Sequence, residues 1–202
     1  MNFEENDINH QRKIIGEFFL QFDTVISTIP FNIPRIIYKK DHTELEKRNI
    51  ETLLCAMTAS TLKISYDSLI FDNYKELPEL VKANKEISKI VDKVTEIRNS
   101  FAHGSYRLGW KDFDGNIDKD YFSLRHSKAT KSGYEKRSWI YKISQVELLI
   151  KQLQNINNAY LLMNTIVFLH SQEQEIDSHI ANLTESIPKI GKIEFKPIME
   201  LK

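Results

Sequence analysis

Ile87-Ser88-Lys89-Ile90-Val91-Asp92-Lys93-Val94-Thr95-Glu96-Ile97-Arg98-Asn99-Ser100-Phe101-Ala102-His103-Gly104 is the stretch whose reading decides the fold. Ile87, Ile90, Val91, Val94, Ile97 and Phe101 recur at helical spacing and form one apolar face. Pro78 suits the first turn of this helix, and Gly104 suits the position just past its end. The segment therefore reads as a long amphipathic helix whose last turns carry an arginine, an amide and a histidine.

The same periodicity extends outward. Ile15, Phe18, Phe19, Phe22, Val25, Ile26 and Ile29 form the stripe of an earlier helix that should stop near Pro30, because Pro30 and Pro34 lack amide donors and disfavour helix before them. Thr43-Glu44-Leu45-Glu46 has the form of a capping box. It opens a second segment through Ile50, Leu53, Leu54, Met57 and Thr61 to about Phe71, with Ala56, Ala59 and Ser60 leaving room for close helix approach. Residues 109–116 read as turns, with Asp114-Gly115 the strongest. Tyr121-Phe122-Ser123-Leu124-Arg125 and Ser138-Trp139-Ile140-Tyr141-Lys142 alternate like strands and predict an antiparallel β-ribbon around a polar loop. Ser144-Gln145-Val146-Glu147 caps a final helix through Leu149, Leu153, Ile156, Tyr160, Met163 and Val167 to about Leu183, ended by Pro188. The tail, 188–202, is either loose or docked through Phe195 and Ile198. The expected architecture is one all-α domain over 1–202, an up-and-down helical bundle with a β-ribbon excursion at about 105–143 between the third and last long helices.

At 202 residues the chain suffices for one domain with a substantial core. Its 28 Lys plus Arg equal its 28 Asp plus Glu, so no global field draws it to nucleic acid or membrane, and any basic surface must be local. Cys55 is the only cysteine, which excludes an internal disulfide; its apolar neighbours suggest a buried, inert thiol. The first residues lack an export signal and no run of some 18 uninterrupted apolar residues follows, so the expected location is cytoplasmic, without a membrane span.

Around the third helix, Asp92, Glu96, Asn99 and His103 share a stripe nearly opposite the apolar face, and Arg98 projects from that face's flank. Cleaving RNA without metal requires a group that takes the 2′-hydroxyl proton, a group that protonates the departing 5′-oxygen, and positive charge at the phosphorus. Histidine titrates near neutrality and suits both proton transfers. Arginine supplies permanent charge in a fork that matches two phosphate oxygens. Asn99 would orient the His103 ring or hold a phosphate oxygen. Arg98 and His103 lie about 140° apart on a regular helix, and one histidine does not readily serve as both acid and base, so two-fold pairing of this helix would complete the set. A purely structural reading has Arg98 lying along its neighbours, Asn99 in solvent and His103 meeting the helix C-terminus.

Arg98-Asn99-Ser100-Phe101-Ala102-His103 resembles the signature of the HEPN superfamily, in which Arg followed by a polar residue precedes His by four to six residues. The resemblance implies a helical bundle that dimerises with its motifs facing, often a metal-independent endoribonuclease of toxin–antitoxin, phage-defence or RNA-processing systems. It implies Arg98, Asn99 and His103 as catalytic residues, with Glu96 in support, and RNA and an antitoxin or other defence protein as partners. Some members are silenced by AMP transfer to a tyrosine two residues beyond the motif histidine. That position is Ser105 here and the nearest tyrosine is Tyr106. The alternative within the family is a non-catalytic module that binds RNA or a partner protein, and a plain interaction bundle is a third reading.

Arg125, Lys128, Lys131, Lys136 and Arg137, with Tyr121, Tyr134, Trp139 and Tyr141 nearby, form a second candidate region, where cations would hold phosphates and rings would stack on bases. A solvated hairpin protected by its charges is the alternative. His126 reads as a surface residue, and His10, His42, His170 and His179 show no metal-ligand spacing. The run Gln172-Glu173-Gln174-Glu175 reads as a solvated helix face. No Walker-type loop or dinucleotide fingerprint is present, so no cofactor is expected.

Overall fold

The structure, a computed structural model, describes residues 3–38, 43–111, 117–130 and 133–201. The protein is mostly helical with a small antiparallel sheet. Its helices are α1 (Phe3–Thr28), α2 (Ile33–Tyr38), α3 (Glu44–Cys55), α4 (Ala59–Asn73), α5 (Pro78–His103), α6 (Ile143–Ser171) and α7 (Asp177–Ile190). Strands β1 (Ser105–Arg107), β4 (Tyr121–Thr130), β5 (Gly133–Lys142) and β6 (Met199–Leu201) form a four-stranded sheet in the order β1-β4-β5-β6. Strands β2 (Trp110–Lys111) and β3 (Ile117–Asp118) pair separately, and the expected Asp114-Gly115 turn lies outside the described residues. Contacts divide the chain into two compact units: Met1–Gln21, Lys93–Lys151 and Ile193–Lys202 in the first, Phe22–Asp92 and Gln152–Lys192 in the second.

The first unit is organised around Phe101, which is almost completely buried. Its ring meets Phe18, Tyr106, Phe122, Tyr141 and Phe195 edge-on at centroid separations of 5.2, 5.9, 5.9, 6.4 and 5.4 Å. Edge-to-face pairs each contribute about 0.5–1.5 kcal/mol beyond the area they bury. Gln11, fully buried on α1, donates to the carbonyls of Lys119 (2.7 Å) and Tyr121 (3.0 Å), while its Oε1 accepts from the Gly109 amide (3.1 Å). One side chain thus satisfies backbone groups at both the approach to β4 and the Gly109 turn, where φ is +67°. The tail is docked: Phe195 stacks on Tyr141 at 4.7 Å, Gln145 Nε2 donates to the Lys196 carbonyl at 2.9 Å, and β6 extends the sheet.

The strands exceed the expected ribbon. Backbone pairing runs unbroken from Tyr121↔Lys142 to Thr130↔Gly133, so most of the expected polar loop belongs to the strands. Flanking strands then come from either side in sequence, β1 directly after α5 and β6 from the tail. An alternation rule reads single strands and does not register a three-residue edge strand.

In the second unit, Tyr66 donates to Asn164 Oδ1 at 3.3 Å and packs edge-on against Tyr160, while Asn164 Nδ2 donates to the Thr28 carbonyl at 3.1 Å. A polar cluster lies beside them. Lys63 Nζ, buried, contacts Ser88 Oγ at 2.6 Å and both Asp67 and Asp92 at 3.1 Å, and Asn84 Nδ2 donates to Asp67 at 2.9 Å. Asp92 therefore pairs with Lys63 of its own chain.

Several boundaries differ from the expectations. The second apolar segment divides into α3 and α4 because Thr58 caps a new helix, its Oγ1 accepting from the Thr61 amide at 3.2 Å. Ala56 and Ser60 are exposed near that break and do not line a close helix contact. Cys55 is exposed at the end of α3, correcting the buried thiol. Residues 33–38 turn helical again after a 3-10 turn, Ile29–Asn32, since Pro34 at the start of α2 needs no amide donor. The last helix breaks at Gln172–Ile176: Glu173 adopts φ +57° and the Gln174 amide returns to the Leu169 carbonyl at 3.0 Å. The acidic run is accordingly a solvated connection between helices. Pro188 lies inside α7, which ends at Gly191 with φ +71°. The run Glu5–Tyr38 is, among the described residues, long and apolar enough to cross a membrane by length and composition; its Phe18, Phe22, Val25 and Ile29 are buried in the protein.

Phe101→Ala should destabilise the protein by about 3–5 kcal/mol, as expected for deleting a buried aromatic ring, measured as a lowered urea midpoint. A preserved midpoint would show that the aromatic cluster does not hold the first unit. Alkaline pH supplies a second test. Burial pushes the phenol pKa values of Tyr66, Tyr106, Tyr141 and Tyr160 up, and that of Tyr74 up to about 12. The folded state thus favours the neutral phenol, a contribution complete below the unfolded value of about 10 and lost as pH rises through the folded values. Stability in urea should fall as pH rises from about 10 towards about 12, and a flat profile would contradict the burial of these hydroxyls.

Candidate active site

The α5 register is the one the apolar pattern requires. Val94 and Phe101 are buried, while Glu96, Asn99 and His103 are exposed on the opposite side. His103 is the last helical residue, and Gly104 follows with its amide 3.4 Å from the Phe101 carbonyl. Gly104 is fixed by space: a Cβ there would overlap the Leu124 side chain of β4. The glycine thus lets the sheet close against the end of α5, directly beside the motif histidine.

Arg98 is half-buried along the flank. Its guanidinium carbon lies 5.8 Å from the centre of the Phe19 ring, and Nη1 donates a long hydrogen bond, 3.5 Å, to Asn99 Oδ1. Asn99 is therefore engaged with the arginine beside it. The guanidinium lies against the Phe19 face at the edge of the apolar surface, from which a long side chain can reach outward.

A contact missed by the sequence reading adjoins the motif. Ser100 Oγ lies 3.1 Å from Nε2 of His126, and the His126 ring meets Trp139 edge-on at 5.4 Å. His126, expected as a surface residue, is half-buried. The signal was the short distance in sequence between the helix end and β1. Once Gly104 turns the chain into β1, the pairing Ser105↔Arg125 brings the next residue of β4, His126, to the end of α5, where it meets Ser100.

Tyr106 donates its hydroxyl to the Phe101 carbonyl at 2.9 Å and stacks on Phe122. Transfer of AMP to that oxygen would first require this hydrogen bond to open.

The second candidate region does not form a single basic surface. Strand alternation separates Arg125 and Lys136 from His126 and Arg137. Arg125 Nε donates to Ser138 Oγ at 3.4 Å, and Lys136 and Arg137 are exposed. Lys128 falls in the backbone register opposite Glu135, and Lys131 lies outside the described residues. Of the aromatic residues, Tyr141 is buried between Phe122 and Phe195 and presents no free face for a base. Tyr121 lies under Lys142, 5.4 Å from Nζ, and Trp139 is half-buried beside His126.

The chain matches no family of related proteins, no curated protein and no solved structure.

Proposed function

We propose that the chain is a metal-independent endoribonuclease of HEPN type, acting in the cytoplasm as a toxin or phage-defence effector and working as a homodimer. The observation that carries this reading is the placement of Arg98-Asn99-x-x-x-His103 at the end of α5, with Asn99, His103 and Glu96 exposed along one stripe and Arg98 on the adjoining flank. In the proposed reaction the 2′-oxygen attacks phosphorus as an imidazole removes its proton. Arg98 stabilises the charge that develops on the phosphate oxygens, and a second acid protonates the departing 5′-oxygen. Glu96, one turn before Asn99 and two before His103, supports the stripe electrostatically. Arg137, an exposed cation on the same sheet face as His126, would hold a flanking phosphate.

A second reading, a non-catalytic HEPN module that binds RNA or an antitoxin, is favoured by one observation. Arg98 is already occupied by Phe19 and Asn99, as a residue with a purely structural role would be.

Purified protein should cleave a mixed RNA pool in EDTA and leave 2′,3′-cyclic phosphate and 5′-hydroxyl ends. An absolute requirement for Mg²⁺ in metal-stripped protein would overturn the mechanism. Arg98→Ala and His103→Ala should each lower cleavage by about 100-fold or more, with unchanged melting temperature. Arg98→Lys should rescue poorly, since it loses the fork. Near wild-type rates in both alanine variants would leave the non-catalytic reading in its place.

Assembly is the other expectation. The exposed Glu96, Asn99 and His103 stripe should lie at or beside a two-fold axis. Light scattering should give a dimer at micromolar concentration, and a cysteine placed at His103 should cross-link to its symmetry mate. A monomer would refute the composite site.

A further inference from the structure

We propose that His126 is a second proton-transfer group of this site, delivered by the sheet to the end of α5 and positioned there by Ser100. The inference rests on the ribonuclease reading and adds to it a residue outside the Arg-to-His motif.

Three observations place the ring. Gly104, the single residue between α5 and β1, lacks the Cβ that would collide with Leu124, so β4 approaches the helix end closely. The register Tyr106↔Leu124 and Ser105↔Arg125 ends at the first residue of β1, so the next residue of β4, His126, follows the last paired position on the side of the α5 terminus. Ser100, whose Oγ is 3.1 Å from His126 Nε2, precedes His103 by three positions, the spacing at which helical side chains are neighbours. His126 and His103 are thereby brought to the same side of the same helix end.

The partner chemistry suits a ring that changes protonation. A serine hydroxyl rotates to accept from Nε2–H or to donate to bare Nε2, so Ser100 can hold the imidazole in either state. Across the strand pair, Arg137 stands opposite His126 and Trp139 closes one side of the ring. One chain then supplies both proton-transfer groups that the reaction needs. The 2′-oxygen–phosphorus bond forms as one neutral imidazole takes the 2′-hydroxyl proton. The phosphorus–5′-oxygen bond breaks as the other ring, entering as imidazolium, gives its proton to the leaving oxygen. The products are a 2′,3′-cyclic phosphate and a 5′-hydroxyl, and no other reactant is required.

Arg137 is paired with His126 across the strands, Arg125 and Lys136 belong to the opposite face of the sheet, and helical spacing puts Lys93, Glu96 and His103 on the Ser100 side of α5. Of these only His103 is of a type that titrates near neutrality, so a rate profile with two limbs there can be divided between the two histidines by substitution.

The test is the pH dependence of kcat/KM for a fluorogenic oligoribonucleotide in EDTA. Wild type should give a bell. His126→Gln, which can still hydrogen-bond Ser100 but cannot titrate, should lose one limb and at least about 100-fold in rate at unchanged melting temperature. Ser100→Ala should move a limb with a smaller loss, as a positioning residue does. If His126→Gln keeps both limbs and works within about threefold of wild type while His103→Ala is inactive, the His126 proposal is wrong and the ribonuclease reading stands. Wild-type protein that cuts no RNA overturns both. A readout without mutation is the response of the imidazole resonances to added nucleoside 2′-monophosphate. Both His103 and His126 should shift, and saturation that moves His103 alone would overturn the proposal even if His126→Gln failed to fold.

Discussion

The packing of Phe101 against rings from α1, β1, β4, β5 and the tail is the constraint on which the candidate site depends. Phe101 stands between Arg98 and His103 in sequence, so burying it fixes the rotation of the last turns of α5. With Phe101 pointing into the core, His103 and Asn99 must point away from it and Arg98 must emerge at its edge. The rotation follows from a ring of about 200 Å² that gains more by burial than any neighbouring polar side chain loses by exposure. The chemistry-bearing residues thus take their places because of an apolar one.

A polar counterpart exists in the second unit. Asp67, Ser88 and Asp92 surround the Lys63 ammonium, and Asn84 donates to Asp67, so that a lysine is tolerated in a buried position. Removing one member of such a set strands the others, which makes it expensive to break and weak as a net stabiliser. Its contact with Asp92 also alters the reading of the exposed stripe on α5. Asp92 has a cationic partner within its own chain, so it places no demand on a second subunit, whereas Glu96 and Asn99 remain solvent-facing.

What was legible in the sequence was whatever a single helix or strand carries by itself. The apolar stripes of α1, α5 and α6, the capping box of α3 and the two central strands follow from local spacing. The breaks that escaped notice are those in which an unusual residue does a familiar job. Thr58 caps without a glutamate three residues on, and Glu173 takes a left-handed conformation that glycine takes more cheaply. Cys55 looked buried because its neighbours are apolar, but the helix turns those neighbours outward: Leu53 is 65% exposed. In the site, Arg98, Asn99 and His103 were legible because their spacing along one helix is itself the signal. Ser100 and His126 were not, since 26 residues separate them and only the register of β1 on β4 brings them together.

That register bears on why the proposed site would use symmetry. A lone Arg-to-His helix offers one imidazole, and the argument for a dimer from proton counting alone assumed that no other was near. In the proposed site His126 would add a second imidazole from the same chain, and the shortage that remains is of charge at phosphorus. Arg98 leaves the helix about 140° from His103, on the far side from Ser100, so its guanidinium approaches a phosphate held by His103 and His126 only by folding back across the helix end. The Arg98 of a symmetry mate, presented by an antiparallel neighbouring α5, meets no such restriction. In the proposed arrangement the sheet would provide the second proton-transfer group and a two-fold axis would provide the cation, two separate reasons for two separate contacts.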